Sequence, residues 1–264
     1  MITAMQQPPA SILDALGHGP ADRRLAVLRE IGAGGSISQA ARAVGVSYKA
    51  AWQALDTLTN LAGVPLVERV VGGAGGGGAR LTEAAHELLA AAGAMHAARA
   101  QLAAQLQPGG GAQATALRLT VQTSMRNQWP CSVQALHASG PLVRVQLRGE
   151  AGTGAAFTVW SRVTRESCEL LALRPGASVQ ALCKATAVRV LPAAGTDLHQ
   201  LGPSNWWPGR ATRIARGSLG DEVAADAAGV QMVGFAPPGS RLRTGSRVLL
   251  GVEESAVALV LAGH

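Results

Sequence analysis

Two periodicities divide the chain. Over the first hundred residues apolar positions recur every three to four residues, as in amphipathic helices; from about residue 116 they alternate, as in half-buried strands. Within 36–60, Ser36 or Ser38 caps a short helix whose inner face carries Ala40, Ala41 and Val44. Gly45 supplies a tight turn. Ser47 caps a second helix that turns Ala51, Ala54, Leu55 and Leu58 inward and Ser47, Lys49, Gln53 and Thr57 outward. Residues 65–71 read as a strand, 72–78 as a glycine loop and 79–82 as a returning strand, and Thr82 caps a long Ala-rich helix over 83–105. The segment 107–115, QPGGGAQAT, lacks periodicity and has the chemistry of a linker. Beyond it come the alternations Leu117, Leu119, Val121 and Val143, Val145, Leu147, punctuated by Gly, Pro and Asp as in small all-β domains.

The β half repeats itself. Arg126-Asn127-Gln128-Trp129-Pro130 returns 78 residues later as Ser204-Asn205-Trp206-Trp207-Pro208, and 176–188 matches 245–257 in its Gly, Val and Ala-Val positions. Repetition at this period points to two copies of one small β-barrel. The expected fold is therefore α+β and multidomain. A winged helix-turn-helix with a long dimerisation helix occupies 20–106 and a linker 107–115, and two small OB-like barrels follow over 116–190 and 191–264.

Composition narrows the class. No run of 18 apolar residues occurs, and the N-terminus has no basic stretch ahead of an apolar core, so neither a membrane span nor a secretory signal is expected and the location is cytoplasmic. Cys131, Cys168 and Cys183 are odd in number and lack metal-ligand spacing; they read as small buried hydrophobes rather than disulfide or metal ligands. Paired carboxylates, HExxH, GxSxG and a P-loop are missing, and the six histidines form no spaced cluster, so no catalytic residues are expected. The net charge of +7 favours a polyanionic partner.

A short helix, a Gly turn and a second helix with a polar outer face make the helix-turn-helix pattern, which an ordinary helical hairpin also fits. The β-hairpin straight after it turns the reading toward a winged helix. Ser47, Tyr48 and Lys49 at the start of the second helix, with Gln53 one turn on, suit the base edges and phosphates of double-stranded DNA, and Arg69 and Arg80 flank the wing tip. The long helix offers Ala84, Ala85, Leu88, Leu89, Ala92 and Met95 as a face for a second copy, which predicts a homodimer. Ser-Ile-Ser-Gln-Ala-Ala at 36–41, Val-Ser-Tyr at 46–48, Leu-Val-Glu-Arg at 66–69 and Leu-Thr at 81–82 resemble the N-terminal domain shared by LysR-type and ModE-type regulators.

The run Thr123-Ser124-Met125-Arg126-Asn127-Gln128 separates those families. It resembles the Ser-Ala-Arg-Asn-Gln motif of molybdate-binding Mop domains, with Met125 replacing Ala. Together with the winged helix, linker and doubled β unit, it makes nearly the whole chain similar to ModE-type regulators. Molybdate is a tetrahedral dianion and needs fixed donors and cations. The Ser124 hydroxyl and the Arg126 fork, two apart on an extended segment, would face one side. The resemblance implies Lys184 and the backbone N–H of Ala185 as further ligands, with Thr164 and Ser167 supplied by the other subunit. It also implies repression of molybdate-uptake genes and, in some bacteria, control of molybdenum-enzyme genes. Tungstate, nearly equal in size and charge, is expected to bind as well. In the second repeat Gly202, Ser204 and Glu253 replace Ser124, Arg126 and Lys184, so that site is expected to reject a dianion. Trp129, Trp206 and Trp207 are expected in packing. The rival readings are a molybdate-storage protein, disfavoured by the winged helix, and a LysR-type regulator with an organic effector, disfavoured by the strand pattern.

Overall fold

The computed structural model describes residues 22–70, 78–105, 123–149, 157–194 and 205–261. The linker 107–115, the wing tip, the alternation at Leu117, Leu119 and Val121, and residues Gly202 and Ser204 lie outside them, as does the side chain of Arg69. The chain divides into two compact units, a helical one that joins the helices of the first 117 residues to the segment Glu166–Ala172, and a β one containing the strands that follow.

In the helical unit α1 (Arg23–Gly34), α2 (Ile37–Val44) and α3 (Tyr48–Ala62) precede a hairpin of β1 (Val67–Val70) and β2 (Gly78–Leu81), and α4 (Glu83–Gln105) follows. Each start has a local cause. Of the two candidate serines it is Ser36 that caps α2, accepting from the Gln39 N–H, and the Ser47 hydroxyl accepts from the Ala50 N–H at 3.2 Å to open α3. Gly45, at φ 70°, makes the left-handed turn between them. Val27, Leu28 and Ile31 of α1 meet Ala40, Ala41, Ala51, Ala54, Leu55 and Leu58 in one core, closed by Leu66 and Leu81. The hairpin is in register from Val67↔Leu81 to Val70↔Gly78. Thr82 accepts from the Ala85 N–H at 3.3 Å and donates to the Pro65 carbonyl at 2.9 Å, so one hydroxyl caps α4 and ties it to the entry of the wing.

Among the described residues the β unit holds ten strands: β3 (Asn127–Ser139), β4 (Leu142–Gly149), β5 (Phe157–Thr164), β6 (Ser178–Cys183), β7 (Arg189–Pro192), β8 (Asn205–Ala215), β9 (Asp221–Ala227), β10 (Val230–Ala236), β11 (Arg247–Val252) and β12 (Ala258–Leu261). A six-residue helix, α5 (Arg165–Leu170), follows β5, and one-turn 3-10 helices, Ala185–Ala187 and Glu254–Ala256, follow β6 and β11. The duplication is visible in register. Asn127 lies opposite Cys183 and Asn205 opposite Val252, and the β-bulges at Val133/Ala135 and Ala211/Arg213 fall 78 residues apart.

The repeats trade their last strands. The first sheet runs β12-β6-β3-β4-β5 and the second, a closed barrel, β10-β7-β11-β8-β9. Thus β7, the final strand of the first repeat, pairs with β11 and β10, while β12, the final strand of the second, pairs with β6. The boundary expected at 190/191 falls inside β7. The barrel closes through a single parallel pair, Phe235↔Arg189. Gly234 makes that crossing possible, because a Cβ there would stand 2.7 Å from the Val188 carbonyl oxygen.

The two repeats grip each other by matched contacts. Asn127, 1% exposed, donates to the Val233 carbonyl and accepts from the Val233 N–H, both at 2.8 Å. Asn205 does the same to the equivalent residue of the first repeat, donating to the Trp160 carbonyl at 2.8 Å and accepting from its N–H at 2.6 Å. Trp129, Phe157 and Trp207 fill the space between the repeats, with ring centroids 5.2–5.8 Å apart, and the Trp207 indole N–H donates to the Thr158 carbonyl at 2.9 Å.

Candidate functional site

Two surfaces carry the residues singled out from the sequence. On the helical unit, Ser47, Tyr48 and Lys49 are exposed at the start of α3, and Gln53 is partly exposed one turn further along. Amphipathicity produces this arrangement: Ala50, Ala51, Ala54 and Leu55 take the buried face, which leaves the polar residues outward. Tyr48 packs edge-on against Trp52, with centroids 6.3 Å apart. Arg80 lies opposite Glu68 in the hairpin and pairs with it at 3.2 Å, both side chains well exposed. Arg69 is on β1 opposite Ala79.

On the β unit, the strand register sets the geometry. Asn127 faces Cys183 across β3 and β6, so Arg126 and Lys184 are the next residues outward on the two strands, at one end of the sheet. Both are exposed, and among the described residues no carboxylate pairs with Lys184. Ala185, 7% exposed, opens the 3-10 turn behind Lys184. Ser124 is exposed at a bend, and the Met125 N–H donates to Thr123 Oγ1 at 3.2 Å. Residues 123–126 precede β3 and bend at Ser124, with the Thr123 hydroxyl satisfying one backbone N–H locally.

Thr164 and Ser167 stand elsewhere. Thr164 ends β5 opposite Leu142, itself opposite Ser139 at the far end of β3, and Ser167 is on α5. The 13 residues of β3 lie between Thr164's level and Arg126. In the register of the first sheet Arg126 and Lys184 are therefore neighbours at one end and Thr164 is at the other.

Sequence reasoning missed the acidic groups. Arg126 Nη1 sits 2.5 Å from Oε2 of Glu222, on β9 of the second repeat, whose Oε1 is 3.2 Å from Arg213. At the equivalent end of the second repeat the charges are reversed. Glu254, 5% exposed, takes a two-point contact from Arg144 (Nη2 2.5 Å, Nε 2.9 Å), which also lies over the Trp160 ring at 4.6 Å, and Glu253 pairs with Arg189 at 3.4 Å. Glu253, half exposed, stands where the first repeat presents Lys184, and the buried Glu254 stands at the place of Ala185. Trp129 and Trp207 are core residues as expected, whereas Trp206 is only partly buried, with Arg189 5.4 Å from its ring. Cys131 and Cys183 are buried, and burial pushes the Cys183 thiol up to about 11, so it stays neutral.

One chain thus carries a helix-turn-helix with its wing and a duplicated, strand-exchanged β unit. The bacterial regulatory helix-turn-helix protein, lysR family, matches residues 23–86, and the TOBE domain matches 123–190. The molybdenum-pterin-binding protein MopB of Rhodobacter capsulatus is 38% identical over 220 residues, 83% of this chain and 79% of that protein. The molybdenum transport protein ModE of Azotobacter vinelandii is 33% identical over 217 residues, covering 79% of this chain and 78% of its own. The DNA-binding transcriptional dual regulator ModE of Escherichia coli (strain K12) is 31% identical over 214 residues, 76% of each. The chain belongs to the ModE family.

Proposed function

We propose that the protein is a cytoplasmic, homodimeric transcription regulator that binds double-stranded DNA through α3 and the β1–β2 wing, and senses molybdate rather than catalysing a reaction. Tungstate, of the same charge and shape, is accepted at the same site. The wing and recognition helix of a dimer read two half-sites. Of the α4 face expected to meet a second copy, Ala85 is in the helical core with Ala84, Leu88 and Leu89 packed against it, which leaves Met95, 58% exposed, with the neighbouring Ala94 and Ala97 for the partner.

The observation that carries the reading is the placement of Arg126 and Lys184 at one end of the first sheet and Thr164 at the other. A site that uses all of them, with Ser124, the Ala185 N–H and Ser167, is complete only when the cationic end of one subunit meets Thr164 and Ser167 of the partner subunit. A dianion held there is compensated by two cations and a set of hydrogen-bond donors. It links the two β units, and it shifts DNA binding to the extent that it favours one dimer arrangement over the other.

Mixed dimers test this. One subunit carries Arg126→Ala and the other Thr164→Ala with Ser167→Ala, and molybdate is titrated calorimetrically. The mixed dimer keeps one intact composite site and binds about half the molybdate of the wild-type dimer, while each mutant homodimer binds almost none. A mixed dimer that binds none refutes the composite site.

A further inference from the structure

We infer that Glu222 is an internal competitor for the oxyanion site, and that it sets the molybdate concentration at which the site fills. The inference rests on the reading of Arg126 as an anion ligand.

The contact is a product of the fold. Asn127 clamps both backbone groups of Val233, Val233 pairs with Ala224 on β9, and Glu222 is two residues further along the same strand. The clamp thereby delivers the neighbouring Arg126 to the Glu222 carboxylate, 2.5 Å away and 96 residues distant in sequence. A carboxylate presents to a guanidinium the same paired oxygens as one edge of a tetrahedral oxyanion. Arg126 is thus already paired within its own chain, and an incoming dianion must displace Glu222.

The second repeat holds a firmer ion pair that uses the residue equivalent to Glu222 with the charges reversed. Glu222 and Arg144 occupy equivalent positions, 78 residues apart, on β9 and β4. Arg144 grips Glu254 at two points, and the Glu254 side chain is only 7% exposed. The Arg126–Glu222 contact is single-point, with side chains 46% and 23% exposed, so it is one that ligand can open. Arg213, 3.2 Å from the other Glu222 oxygen, is the cation left to hold the carboxylate once Arg126 has turned to the anion. Every anion must break the same pair, so Glu222 moves the threshold of the site and not its choice among oxyanions.

The test uses the full chain, stripped of oxyanion and titrated with sodium molybdate by calorimetry, alongside thermal melts without ligand. Glu222→Gln tightens molybdate binding about threefold to fivefold, the range of an incompletely buried ion pair. Arg213→Ala weakens binding by a similar factor in the wild-type background and has no effect in Glu222→Gln, since the two act on one contact. Unchanged or weaker binding by Glu222→Gln overturns the proposal. Should that variant fail to melt cooperatively, Arg213→Ala decides: unchanged or tighter binding overturns it equally. Arg126→Ala separates the two levels of argument. Wild-type affinity in Arg126→Ala refutes the site itself, whereas lost binding there with no gain in Glu222→Gln refutes only the competition.

Discussion

Replacing Asn127 by Ala removes the side chain that joins the first repeat to β10 of the second. Two hydrogen bonds of 2.8 Å vanish, and the N–H and C=O of Val233 are left facing a methyl group in a site where Asn127 was 1% exposed. An unsatisfied buried polar group costs about 1–3 kcal/mol, so the two together cost about 2–6 kcal/mol. For a unit of this size even the lower bound lowers the melting temperature by roughly 5 °C. The assay is thermal unfolding followed by tryptophan fluorescence; Trp129, Trp160, Trp206 and Trp207 report on the β unit and Trp52 alone on the helical one. Asn205→Ala, acting on Trp160, should match it closely, because the two clamps are equivalent. A shift under about 2 °C for Asn127→Ala would refute the account of how the repeats are joined. A large shift confined to one of the two variants would refute their equivalence.

Arg144→Ala strands the buried Glu254 carboxylate and should destabilise the protein by about 2–3 kcal/mol in urea unfolding, less than for a wholly buried pair because Arg144 is 47% exposed. Lys49→Ala, at the exposed start of α3, should weaken binding to all DNA sequences alike and lower the salt slope by about 1, read by fluorescence anisotropy at several salt concentrations; lost discrimination at constant affinity would make it a base reader. Asp221 is held below its ordinary value of 3.8, chiefly by the Ser240 hydroxyl at 2.8 Å and then by Arg216 at 2.5 Å. Its stabilisation is complete above pH 3.8 and is lost as pH falls through the lower native value, so Asp221→Asn should flatten the acid limb of a stability-versus-pH curve.

What could be read from the sequence was local. Ser47 as a cap, Gly45 as a turn and the inward Ala51, Ala54, Leu55 and Leu58 depend on neighbours within one or two turns, and the structure has each in that role. The doubled β unit was legible because Asn127 and Asn205 recur with their flanking Trp and Pro. Their function was not, since each acts on a strand of the other repeat. Strand exchange leaves no trace in periodicity: four residues, Arg-Val-Leu-Pro in β7 and Ala-Leu-Val-Leu in β12, are too few to name the sheet they join. Glu222 was invisible for the same reason, being brought to Arg126 only by pairings among β3, β10 and β9. The bend at Ser124, with the Met125 N–H bonded to the Thr123 hydroxyl, has no signal in the apolar periodicity.

The reciprocal placement of β7 and β12 has a consequence for modularity. A fragment ending at Pro192 would carry a complete first repeat in sequence yet lack the strand that covers β6, and its own β7 would have no β11 to join. Two such fragments could satisfy each other by exchanging β7, rebuilding between molecules what the intact chain builds within itself. Deleting the final residues from Ala258 would likewise open the first repeat, more than sixty residues away along the chain, and leave β6 as an unpaired edge prone to association. Within one chain, therefore, neither repeat completes its sheet without the last strand of the other.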